Sequence, residues 1–246
     1  MSLGHALRRI VEEYPLARTD PPAGHPLAHV IRKGAPDELR RVLAPLDGPF
    51  LVKGSPGRGS HWAAVPWLAV FDPAVTTSAT RGYYLVYLFP AHREAVHLSL
   101  AQGTVAAIRE HGPRSGDHLR ACGARLRERL SDFSDVLPAS AITLGSAGEL
   151  PEGYEAAHIL GLTYDLADLG DERRLRADLA TGLAAYRALK ARGGARRQRL
   201  GAMPSRSVRR GDRCRQADVQ GIEDAQSRVE ARVAVVRQRP IEAFPR

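Results

Sequence analysis

The 246-residue sequence contains no asparagine, two cysteines and three lysines, and each shortage removes a class of chemistry. An HNH-type nuclease needs paired histidines near an asparagine or a further histidine, usually beside zinc-binding cysteines. That set is missing. Cys122 and Cys214 lie far apart, with no CxxC and no histidine at metal-ligand spacing, which argues against a zinc site or a disulfide framework and fits a reducing, cytoplasmic setting. A metal-dependent carboxylate nuclease needs an Asp/Glu-x-Lys on a strand, and none of Lys33, Lys53 and Lys190 has an acid two residues before it. There is no GxxxxGK[ST] loop for a nucleotide and no nucleophile elbow. No catalytic residue, metal-ligand set or cofactor is expected, and the chain reads as a binding module rather than an enzyme.

Long apolar runs are also scarce. The opening MSLGHALRRIVEEY carries charge every few residues, so it reads as neither a signal peptide nor a membrane span, and no membrane partner is expected. Charge itself is plentiful: the net is +9 and the pI about 10.1, which invites a nucleic-acid reading. It is unevenly placed. Gly194–Arg246 holds 13 arginines and six acids, a net of +7, which leaves +2 for residues 1–193.

The N-terminal forty residues have helical spacing. Leu3, Ala6, Leu7, Ile10 and Val11 recur on one face, PDELRRVL opens with proline and acids, and Pro21, Pro22 and Gly24 separate the two stretches. Four runs rich in Val, Leu, Phe and Tyr follow: PFLVKGS, AVPWLAVFD, GYYLVYLF and AVHLSL, a meander of neighbouring strands. Between the first two lies SPGRGSH, read as a flexible loop suited to close approach of a ligand. Helical spacing returns in residues 103–133, YEAAHILGLTYDL supplies a last strand, and DERRLRADLATGLAAYRALKARGG makes an amphipathic helix ended by Gly193-Gly194. The fold class expected is α+β: a mixed, largely antiparallel sheet flanked by helices over residues 1–193. Residues 194–246 are expected to form a disordered arginine-rich linker or tail with one further helix at 217–238.

The order glycine-rich loop, HWAAVPWLAVFD, intervening loop, RGYYLVYLF and VHLSLAQG resembles the N-terminal DNA-binding domain family of McrB, the recognition subunit of methylation-dependent (type IV) restriction systems. YEAAHILGLTYDL and the helix ending in KARGG resemble the end of that domain, so the likeness covers roughly residues 3–193. The resemblance implies recognition of modified, above all methylated, cytosine in double-stranded DNA, by flipping the base into an aromatic slot. Its setting would be restriction or phage defence. Position by position, Trp67 matches the family's pocket tryptophan, and Tyr84 and Leu88 match its tyrosine and leucine. Leu150 falls near the place of a further pocket aromatic, with Tyr154 four residues on. The family's wedge tyrosine has no counterpart. Gly57, Arg58, Gly59, Ser60 and His61 occupy that DNA-inserting loop, so Arg58 or His61 fills the gap left by the base, or insertion differs. The motor part of McrB is absent from the sequence, which implies a separate nuclease or motor subunit as effector. The tail from Gly221 resembles the lead-in to HNH modules of some modification-dependent restriction proteins, and reads as a truncated lead-in, an arginine-rich DNA clamp or a solvated extension.

The residues taken alone allow the same slot. Trp67 and Tyr84 on adjacent strands are expected to face one another across about the thickness of a base, with Leu88 on the face of Tyr84 and with Tyr83, Tyr87 and Phe89 turned into the core. Trp62 is assigned to packing. The competing reading is an unspecific nucleic-acid-binding or protein-interaction module, a remnant of a longer restriction enzyme, whose salt-sensitive binding would be indifferent to cytosine modification.

Overall fold

The computed structural model describes residues 1–90 and 93–194. The calculation for the sheet is simple: five strands run in chain order, β1 (Leu51–Arg58), β2 (His61–Phe71), β3 (Tyr83–Leu88), β4 (Ala95–Gln102) and β5 (His158–Asp165), and every neighbouring pair is antiparallel. The α+β architecture expected from the sequence is the one observed. The expected helix at 217–238 and the character of the tail lie outside the described residues.

Strand alternation gives the sheet two faces with different work. On the first face Leu68, Val70, Leu85, Tyr87, Val96, Leu98, Leu100, Leu160 and Tyr164 enter the main core. Tyr83 and Phe89 join them, as alternation along GYYLVYLF requires. Helices α1 (Leu3–Ala17) and α7 (Glu172–Ala191) supply the other half of that core through Leu3, Leu7, Ile10, Leu175, Leu179, Leu183 and Tyr186. Each such side chain, fully buried, stabilises by about 1.5–3 kcal/mol relative to exposure. Gly182 lets α7 lie flat on β3, where an added Cβ would stand 3.1 Å from Leu85. The helix is also tied to the end of β2: Asp72 N–H donates to Tyr186 Oη at 3.0 Å, and Lys190 Nζ pairs with Asp72 Oδ2 at 2.5 Å. Gly193 and Gly194, at φ +87° and +52°, end the helix where the Gly-Gly pair predicts.

Between α1 and β1 the chain forms α2 (Pro26–His29), one π-helical turn (Val30–Gly34) and α3 (Ala35–Leu43). The π turn presses on the edge strand so closely that a Cβ at Gly54 would fall 1.8 Å from Ile31 O. Helices α4 (Thr104–His111), α5 (Ser115–Glu128) and α6 (Glu149–Ala157) follow β4 and pack together beside β4 and β5 through Ala107, Leu119, Ala156 and Ala157. The stretch YEAA, expected to begin the last strand, is the end of α6, and β5 starts at His158.

Candidate nucleic-acid interface

The segment SPGRGSH is mostly strand. Strand β1 continues to Arg58, which pairs with His61, so the connection is the two-residue turn Gly59-Ser60. The register shifts between Ser55 and Gly57, leaving Pro56 as the extra residue of a bulge. Glycine is required at both sides of the tip. Gly57 sits at φ +127° with His61 O 2.3 Å from where a Cβ would be, and Gly59 sits at φ +57° in open space. The flexible loop of the sequence reading is therefore a hairpin arm, because a bulge and two glycines extend strand pairing to the tip. Gly59, Ser60 and His61 are exposed, and Gly57 and Arg58 are half-buried.

An aromatic brace holds the arm. Tyr14 of α1 directs its hydroxyl at Pro56 O (3.1 Å) and Ala63 O (2.7 Å), one carbonyl from each strand. The Trp62 ring meets Tyr14 edge-on at 5.3 Å and His25 at 5.2 Å, and its Nε1–H donates to Asp20 O at 2.6 Å. Trp62 thus has the packing role assigned to it, but at the root of the arm rather than in the centre of the core.

The second face of the sheet carries the candidate pocket residues. Following the pairings strand by strand, Ser55 stands opposite Trp67, Trp67 opposite Leu88, Leu88 opposite His97 and His97 opposite Thr163, one continuous row across all five strands. Two residues along each strand, the parallel row reads Lys53, Ala69, Val86, Ser99 and Gly161, mostly small side chains. Beyond it come Phe71 and Tyr84, with rings 5.2 Å apart. Large side chains therefore flank a shallow trough floored by Ala69 and Val86. Trp67 and Tyr84 share the face, as alternation requires, but stand on its two sides, about 13 Å apart along the strands. Trp67 is half-buried, whereas Leu88, Tyr84, Leu150 and Tyr154 are buried. Tyr84 donates its hydroxyl to Ala79 O at 3.1 Å, and burial pushes the pKa of that phenol up, with Tyr154 adding to the shift. Leu150 and Tyr154 both lie on α6. The accessible aromatic of the set is Trp67, on the strand that carries the hairpin arm.

A family model described as MrcB-like, N-terminal domain matches residues 9–191. The chain belongs to this family. No curated protein matches it. Membership of the MrcB-like family makes the chain a DNA-binding module of the restriction type, and the family domain is not a catalytic one. No helix among the described residues is long and apolar enough to cross a membrane.

Two buried histidines of this MrcB-like domain escape a reading by motif. His97 contacts Thr163 Oγ1 through Nδ1 at 2.8 Å and Thr143 O through Nε2 at 3.4 Å, and burial lowers its pKa. His158 contacts Ser99 Oγ through Nδ1 at 2.7 Å, and burial lowers its pKa to about 4, with His97 and Arg127 adding to the shift. The sequence signal was the alternation in AVHLSL, which sets His97 and Ser99 on the face opposite Leu98 and Leu100. The arginines of α5, ambiguous in sequence, divide by contact. Arg127 donates to His158 O and Ile159 O, and Arg129 to Gly194 O, whereas Arg120 and Arg125 stay exposed beside Asp117 and Cys122.

Proposed function

We propose that this MrcB-like domain reads modified cytosine in double-stranded DNA by drawing the base from the helix against the Trp67 ring. The observation that carries the reading is the pairing of an accessible indole with an exposed hairpin tip on the same two strands. The arm that would enter the duplex and the ring that would receive the base are one rigid unit. Tip residues Arg58 and His61 are the candidates to occupy the vacated stack, and the other tip residues, Gly57, Gly59 and Ser60, let the backbone approach. Leu88 and Tyr84 flank the trough beside the indole, and Leu150 and Tyr154 on α6 close it. Unstacking a base costs a few kcal/mol, which stacking on an aromatic ring of about 1–3 kcal/mol largely offsets.

The domain would span residues 1–193, and the arginine-rich stretch after it would add phosphate contacts that strengthen binding without sequence preference. Its setting would be cytoplasmic phage defence, with cleavage supplied by a separate nuclease or motor subunit. Trp67→Ala in the full chain tests the reading by binding to matched plain and modified duplexes. The variant should keep its fold by circular dichroism and bind both duplexes with the weaker affinity of the plain one. Equal loss of affinity for both duplexes, with the fold intact, would favour instead an unspecific nucleic-acid-binding or protein-interaction module.

A further inference from the structure

The row through Trp67 and Leu88 ends on a polar group that the stacking account leaves without work. His97 is 3% exposed, and its two nearest polar partners fix its tautomer. Thr143 O can only accept, so Nε2 carries the proton, and Nδ1 accepts from the Thr163 hydroxyl at 2.8 Å. The Nε2 contact is 3.4 Å long, beyond the usual N–H···O range, so this donor is only loosely engaged. It faces the segment before α6, the helix that also holds Leu150 and Tyr154. Two strand spacings separate Trp67 from His97, about 10 Å. A pyrimidine packed against the indole can present an edge to the imidazole across that gap, above Leu88.

We propose that His97 determines base identity: its Nε2–H donates to an acceptor on the Watson–Crick edge of the extruded base and so selects cytosine-type bases over thymine. The inference rests on the base-flipping reading above. Cytosine offers a lone pair at ring N3, where thymine carries a hydrogen, so a fixed donor accepts the first and meets the second donor to donor. 5-Methylcytosine and thymine have nearly the same outline, both carrying the C5 methyl. Stacking and shape alone separate them poorly, and a directed hydrogen bond separates them well. Thr163 is a positioning residue here, because its hydroxyl holds the proton on Nε2.

The test compares full-length protein on duplexes with 5-methylcytosine or thymine opposite guanine at one site, with plain cytosine as reference. Wild type should prefer 5-methylcytosine over thymine, although the thymine mismatch is easier to extrude. His97→Leu should lose about tenfold of that preference, His97→Gln should restore part of it by returning an N–H donor, and Thr163→Val, at an exposed position, should fall between. Trp67→Ala run in parallel separates the two claims. If Trp67→Ala abolishes preference while His97→Leu and Thr163→Val leave it intact, the His97 assignment is overturned and the base-flipping reading stands. If wild type binds all three duplexes alike, both fall together.

Discussion

Replacing Tyr14 with phenylalanine isolates the brace of the hairpin arm. The change keeps the ring, and with it the edge contact to Trp62 at 5.3 Å, but removes a hydroxyl that lies 3.1 Å from Pro56 O and 2.7 Å from Ala63 O. One hydroxyl proton serves these two carbonyls, so the loss is that of one hydrogen bond, about 1 kcal/mol, with a further fraction because Pro56 is buried. The total is about 1–2 kcal/mol. For a domain of this size each kcal/mol corresponds to roughly 2–4 °C in melting temperature. Calorimetry on the full chain should show that drop, and amide exchange should quicken between Arg58 and Trp62 more than in β3 or β4. DNA affinity should fall a few-fold, because the arm must be held before it can insert. An unchanged melting temperature with unchanged exchange at the arm would refute the brace.

Other perturbations probe different parts of the account. Gly54→Ala drives a Cβ to 1.8 Å from the Ile31 carbonyl and should cost about 3 kcal/mol or more, whereas Gly59→Ala meets open space and only the strain of φ +57°, about 1–2 kcal/mol. Urea unfolding of both variants checks the contrast, and equal losses would contradict the packing of the π turn on β1. His158 has a folded pKa of about 4 against an ordinary 6.5, so the unfolded chain takes up a proton that the folded one refuses. Its contribution is fully present above about pH 6.5 and is lost as pH falls towards 4, at up to about 1.4 kcal/mol per pH unit. Unfolding midpoints at pH 7.5 and pH 5 should therefore differ, and less so in His158→Gln; an identical pH dependence in the variant would count against the burial of that imidazole. Trp62→Phe leaves Trp67 as the only tryptophan. Its fluorescence should be quenched by a modified duplex and not by a plain one, and equal quenching by both would mean that no base stacks selectively on it.

Much of this was legible in the sequence because local chemistry and tertiary environment agree. The alternation in GYYLVYLF separates Tyr83, Leu85 and Tyr87 from Tyr84 and Leu88, and the sheet keeps that division. The apolar stripe of α7 from Leu175 to Leu189 and its Gly-Gly stop were equally plain. Register was not. Alternation fixes which face a side chain takes, but pairing fixes which residues meet, and pairing depends on contacts distant in sequence. Trp67 consequently meets Leu88 rather than Tyr84. The hairpin arm was hidden for a related reason: glycine and proline signal turns, yet Pro56 and Gly57 make a bulge within a continuing strand. His97 was invisible as a site residue because its relation to Trp67 exists only across three paired strands.

The reading of modified cytosine stands or falls most directly on equilibrium binding of the full chain to four duplexes that differ at one position. That position carries cytosine, 5-methylcytosine, 5-hydroxymethylcytosine or N6-methyladenine, and the salt is kept high enough to weaken the phosphate contacts of an arginine-rich chain. One modified-cytosine duplex should bind at least tenfold more tightly than plain DNA, and the preference should persist as salt rises while overall affinity falls. Identical affinities for all four, declining together with salt, would contradict it and leave an unspecific binder of DNA.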